Sequence, residues 1–127
     1  MAFHYNIHYT LEEARSLLPL VRRWLASVQQ IKARMREADQ RILYVLNMGD
    51  DAGGERVNQL VECMASVQEV LAEFSKREIQ VKDIDRGLID FPSLRNGQEV
   101  FLCWEQDEDD IEHWHDIETG YEGRHPI

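Results

Sequence analysis

The feature that most constrains this chain is a run of ten apolar residues between Ala14 and Val45. Ala14, Leu17, Val21, Trp24, Val28, Ile31, Met35, Ala38, Ile42 and Val45 follow one another at alternating spacings of three and four. A strand repeats every two residues and would scatter these side chains over both faces, so the seam predicts one long helix. About 35 residues at 1.5 Å per residue span on the order of 50 Å. Leu11, Leu18 and Leu25 widen the apolar face over the first half. Thr10, with Glu13 three residues on, has the pattern of a capping box. Pro19 lies well inside the helix, where it deletes a hydrogen bond and predicts a kink.

Gly49-Asp50-Asp51-Ala52-Gly53-Gly54 is a turn by composition. A second seam follows, through Val57, Leu60, Met64, Val67, Leu71 and Phe74, and predicts a helix from Glu55 to Arg77. Two seamed helices joined by a short loop pack as an antiparallel hairpin. The second, roughly 33 Å long, is too short to cover the first. Either the rest of the chain or a second copy must do so.

Elsewhere the period is two. Phe3, Tyr5, Ile7 and Tyr9 alternate with His4, Asn6 and His8, which predicts a strand over 3–9. Ile79–Ile84 alternates, Arg86-Gly87 breaks the run, and Leu88–Phe91 precedes Pro92. Asn96-Gly97 marks a turn before Val100–Trp104, the strongest strand signal in the chain. Asp107–Asp110 is an acidic turn, Ile111–Ile117 alternates again, and Thr119–Ile127 reads as an irregular tail. The expectation is one α+β domain over 1–127. It comprises a strand at 3–9, a long helical hairpin over 10–78 and a small antiparallel sheet over 79–118, with the tail at 119–127. The sheet has three or four strands, and the N-terminal strand joins an edge.

Composition narrows the function. With 30% charged and 43% hydrophobic residues, the chain is neither a disordered tail nor a membrane protein. The net charge of −10 argues against a protein whose whole surface binds nucleic acid or anionic membrane. Residues 1–48 carry seven basic groups against four acidic ones, and residues 49–127 carry seven against twenty. Two such parts are expected to face each other, within one fold or across a dimer. No apolar run reaches the roughly 18 residues of a spanning helix, and no secretory signal pattern opens the chain. Cys63 and Cys103 are expected to be reduced thiols of a cytoplasmic protein.

Several blocks carry a resemblance. They are Tyr9-Thr10, Glu12-Glu13-Ala14, Leu17-Leu18-Pro19, Lys82-Asp83, Asp85, Gly87-Leu88 and Asp90-Phe91-Pro92. Gly97, Leu102-Cys103-Trp104, Trp114-His115, Gly120, Gly123-Arg124 and Pro126 complete them. The chain resembles the bacterial domain-of-unknown-function family 2203 over nearly its whole length. The resemblance implies no activity or cofactor, but it directs attention to Asp83, Asp85, Asp90, Trp104, Trp114, His115 and Arg124. The family pattern places a glycine just before the Val-x-Lys-Asp strand, where this chain carries Ile79 and Gln80.

Three constellations bear chemistry. His113 and His115 share one strand face, and an even register with the Val100–Glu105 strand adds Cys103 and Glu105 to it. The register setting Glu105 opposite His113, Trp104 opposite Trp114 and Cys103 opposite His115 gathers a donor set for zinc or another divalent metal. Asp83, Asp85 and Asp90 surround a glycine turn, where aspartates either bind a cation or accept backbone N–H groups and pair with arginine. Arg15, Arg22 and Arg36 occupy one heptad column of the first helix, with Gln29 in the missing place. That column either tracks phosphates or pairs with the acidic segment, and no nucleic-acid motif supports the former. Walker, dinucleotide and nucleophile-elbow signatures are missing, so no catalytic residue is named.

The expected function is that of a homodimeric interaction protein built on the hairpin. The alternative is a small metal- or anion-binding domain or enzyme, with a patch of Trp104, Trp114, His115 and Arg124 rimmed by Asp83, Asp85 and Asp90. In that patch the tryptophans pair across strands, and Arg124 swings over it on a glycine-flanked tail.

Overall fold

The structure, a computed structural model, describes residues 2–47 and 54–127, with the side chains of 42–47 and 56 outside the description. Of the turn expected over 49–54, residues 49–53 lie outside the described residues, and Gly54 opens the second helix. Helix α1 spans Leu11–Asn47 and α2 spans Gly54–Ser75. Thr10 Oγ1 accepts the Glu13 N–H at 3.1 Å while the Glu13 carboxylate accepts the Thr10 N–H at 2.9 Å, the reciprocal capping box. The helix runs on through Pro19, which sits on the exposed side.

Five strands follow in a simple antiparallel meander, in the order β1 (Gln80–Asp83), β2 (Leu88–Arg95), β3 (Gln98–Glu105), β4 (His113–Asp116) and β5 (His125–Pro126). Asn96 at φ +52° and Gly97 at φ +79° form the two-residue turn that an Asn-Gly pair specifies. β2 passes through Pro92, whose missing ladder donor would end most strands. Its carbonyl takes the Tyr9 N–H at 2.7 Å. The tail is more ordered than its composition predicts, since β5 pairs with β4 after a short turn at Tyr121–Gly123.

One sheet face packs on α1. Leu18, Val21 and Leu25 are buried with Ile89, Phe91, Leu102, Trp104 and Ile111, and Phe74 of α2 closes one side. The apolar surplus of α1 is therefore covered by the C-terminal third of the same chain. The basic column works the same way. Arg15 donates to the Ile111 carbonyl, Arg22 to those of Glu108 and Asp109, and Gln29 to that of Ile84. Lys32 and Arg36 reach Asp85 at 3.0 and 3.5 Å. The heptad column thus ties α1 to the ends of the sheet.

The N-terminal segment differs from the expected strand. Its alternation survives as burial of Tyr9 and partial burial of Tyr5 and Ile7, yet it joins no ladder. Carboxylates take the backbone donors of residues 4–7 instead. Glu99 accepts the N–H groups of His4 and Tyr5, and Glu78 those of Asn6 and Ile7, all at 2.9–3.2 Å. Glu78 itself has φ +58°, the left-handed conformation that glycine adopts most easily, and it turns the chain from α2 into β1. The second seam also needs a correction. Val57 and Met64 are 48% and 53% exposed, because the sheet and α1 take up only the Leu60, Val67, Leu71 and Phe74 side of α2.

Candidate functional site

The candidate site lies on the sheet face away from the helices, and the hairpin geometry explains its composition. The two-residue turn at Asn96-Gly97 sets Asp90 opposite Cys103 and Pro92 opposite Phe101. On the other side of β3, Cys103 pairs with His113 and Phe101 with His115. This register is two residues from the expected one. A shift of two preserves the face, so Cys103, His113 and His115 do share a side, as their parity requires. The partners change: Trp114 stands opposite Leu102 rather than Trp104.

Asp90, Cys103 and His115 are 2%, 1% and 2% exposed, and one donor atom from each lies within 4.8 Å of the others. His115 Nδ1 is 2.7 Å from the Asp116 carbonyl, which can only accept, so Nδ1 carries a proton. Its Nε2 faces Asp90 Oδ2 at 3.0 Å, while Asp90 Oδ1 is buried with no hydrogen-bond partner. Burial pulls the His115 imidazole toward neutrality, but the bonds to Asp90 and the Asp116 carbonyl outweigh it and raise its pKa. Burial, reinforced by the Asp90 charge, pushes the Cys103 thiol up to about 12. A cleft of about 260 Å³ opens in front of Asp90 and His115, lined also by Lys82, Phe101, Thr119 and Tyr121.

Next to this set, Arg124 is held rather than mobile. It grips Glu108 with two hydrogen bonds of 2.9 Å, lies 4.3 Å from the centre of the Tyr121 ring, and sets Nη1 3.9 Å from Cys103 Sγ. His113 Nδ1 approaches Glu108 Oε2 at 3.2 Å without hydrogen-bond alignment.

The remaining expected residues sit elsewhere. Trp104 is fully buried on the helix side, where its Nε1–H bonds the Glu108 carbonyl and Arg22 stacks at 4.9 Å. Trp114, also on that side, packs between His125 at 4.7 Å and Arg95 at 4.6 Å. Glu105 pairs with Arg86 at 2.9 Å, away from the triad. Asp83 accepts the Arg86 N–H, and Asp85 pairs with α1, so both act as turn and docking residues. Glu108 and the role of Asp90 beside Cys103 were missed in the sequence reading. The Asn-Gly turn could have revealed the Asp90–Cys103 pairing, but nothing local marks Glu108 as the partner of Arg124.

Fold and site together define an α+β protein in which a helical hairpin backs a five-stranded meander, with a buried carboxyl, thiol and imidazole on the opposite face. The chain belongs to the family described as uncharacterized conserved protein (DUF2203), whose model matches residues 8–127. No curated protein and no solved structure matches it. Among the described residues, no helix is long and apolar enough to cross a membrane.

Proposed function

We propose that this protein is a homodimeric interaction protein that assembles through α2. The observation that carries this reading is the exposed stripe of Val57, Val61 and Met64, at 48%, 59% and 53% exposure. These residues are spaced four and three apart, and Gln68 continues the series with another step of four. That is the spacing of a seam that packs against a second helix. The chain's own sheet and α1 already cover the other side of α2.

A second copy is the fitting occupant, because a stripe on one helix packs against itself across a two-fold axis. The neighbouring groove between α1 and α2 is lined by Arg34 and Arg41 together with Glu37 and Glu62. A surface presenting both signs meets opposite charge when an inverted copy approaches it. A cytoplasmic setting belongs to the same reading, supported by two free cysteines, Cys63 and Cys103.

Sedimentation equilibrium tests it. The wild type should sediment as a dimer at micromolar concentration, and the Val61→Lys, Met64→Lys double variant as a folded monomer, since both positions are exposed. A monomeric wild type, or a double variant that remains dimeric, overturns the proposal. Lysine at Leu18 or Leu25 would be no test of assembly, because both pack beneath the sheet.

A further inference from the structure

We propose that Asp90, Cys103 and His115 form a zinc site with one coordination position open to the adjacent cleft. The site is independent of the assembly through α2. The set differs from the one expected from sequence in its carboxylate, Asp90 instead of Glu105, and it leaves His113 beside Glu108.

His115 Nε2, the Asp90 carboxylate and the Cys103 sulfur converge here in a buried place, within 4.8 Å of one another. With the His115 Nδ1 proton committed to the Asp116 carbonyl, Nε2 meets the Asp90 carboxylate only by carrying a second proton, and without that proton it is a free donor atom for a metal. Asp90 Oδ1 has no aligned hydrogen-bond partner, and the Cys103 sulfur lies between the Asp90 carboxylate, to which its thiol can donate, and Arg124 Nη1 at 3.9 Å. Without metal, a proton between His115 and Asp90 and the thiol proton of Cys103 hold the set together. A divalent cation satisfies Nε2, the sulfur and the carboxylate together.

The donor chemistry selects the metal. One thiolate, one imidazole and one carboxylate suit zinc, a borderline ion that accepts sulfur, nitrogen and oxygen together. Thiolate and carboxylate carry two negative charges, which neutralise a divalent ion in a buried place. An imidazole whose far nitrogen donates to a backbone carbonyl is the usual outer-shell support of a metal-bound histidine. Zinc bonds of about 2.0–2.3 Å put tetrahedral ligand atoms roughly 3.3–3.8 Å apart, so the 4.8 Å limit on the present separations closes with side-chain adjustment.

Three protein ligands leave a fourth position. Asp90 and His115 both line the 260 Å³ cleft, so that position is reachable by water or by an oxygen of a small ligand. Lys82 stands on the same cleft and favours an anionic one. Binding releases the Cys103 proton, since a coordinated thiol is deprotonated, and the Arg124 guanidinium near the sulfur favours the same form.

The test uses the full chain purified without a histidine tag, stripped with a chelator and dialysed against zinc. Elemental analysis should find one zinc per chain. Cobalt substitution should give a thiolate-to-cobalt charge-transfer band in the near ultraviolet. Cys103→Ser should abolish that band while Cys63→Ser keeps it. Asp90→Asn and His115→Ala should each weaken zinc binding by at least the roughly 10–100-fold carried by outer-shell partners. Zinc well below one per chain in the wild type overturns the proposal, and so does a cobalt band that survives Cys103→Ser. The wild-type measurement decides the matter even where a variant fails to fold.

Discussion

Arg124 and Glu108 meet through two parallel hydrogen bonds of 2.9 Å, across 16 residues of chain, with side chains only 11% and 22% exposed. Burial opposes charge on both groups, yet their mutual bonds hold the Glu108 carboxyl below its ordinary range. Removing Arg124 would leave that carboxylate with the Glu105 N–H as its hydrogen bond, beside His113, and would release the tail. Arg124→Ala should cost about 2 kcal/mol, below the usual figure for a fully buried pair because solvent reaches this one. Adding Glu108→Ala should recover part of the loss, and denaturant unfolding of the two single variants and the double variant checks the sign of the coupling.

Glu99 ties down the N-terminal segment, and its grip is pH-dependent. Burial works against the charged form, but bonds from His8, the His4 and Tyr5 N–H groups and the His4 ring outweigh it and hold the carboxyl at about 2. The folded value lies below the ordinary 4.5, so the stabilisation is complete above about pH 4.5 and disappears as the pH falls toward 2. The protection of the His4 and Tyr5 amides, taken relative to their intrinsic exchange rates, should therefore fall on acidification over that window. In Glu99→Gln those amides should already be fast at neutral pH, and the acid dependence over that window should be gone.

Two glycines with positive φ should respond unequally to alanine. At Gly97, φ +79°, an added Cβ meets nothing within 4 Å, so only the left-handed conformation is penalised, by about 1 kcal/mol. At Gly87, φ +70°, the Cβ would stand 2.5 Å from Gln106 Cβ and 2.9 Å from Leu25 Cδ2. Gln106 exchanges hydrogen bonds with Gln29 of α1, so relief of the clash would disturb the helix–sheet seam. Thermal unfolding should show a loss for Gly87→Ala at least twice that for Gly97→Ala.

Glu78→Gly separates backbone strain from side-chain anchoring. Glycine removes the left-handed strain of about 1 kcal/mol at φ +58° but also removes the carboxylate holding the Asn6 and Ile7 N–H groups. Global stability should change by less than about 1 kcal/mol, while amide protection at Asn6 and Ile7 is lost. Glu78→Ala keeps the strain and loses the anchor, so it should be the less stable of the two by unfolding in denaturant.

Periodicity and turn chemistry carried what is local. The α1 seam, the Thr10–Glu13 cap, the Asn96-Gly97 turn and the shared face of Cys103, His113 and His115 all follow from spacing along the chain. The N-terminal alternation misled for a physical reason. Period two reports which side chains are buried, and Tyr9 is, but it says nothing about where the backbone donors go. Here those of His4 to Ile7 go to Glu99 and Glu78, 71 to 95 residues away in sequence.

The sequence by itself determined the helical hairpin, the switch to a sheet and the side of the sheet on which each strand residue falls, because these depend on neighbours a few residues apart. Only the tertiary structure decided who meets whom. A two-residue shift of β4 against β3 leaves every face unchanged while replacing every partner, so parity could not choose His115 opposite Phe101 over His115 opposite Cys103. The pairing of Arg124 with Glu108, the cover that the sheet provides for Leu18 and Leu25, and the convergence of Asp90, Cys103 and His115 all arise from long-range packing. The energies of such contacts depend on distances that no local pattern encodes.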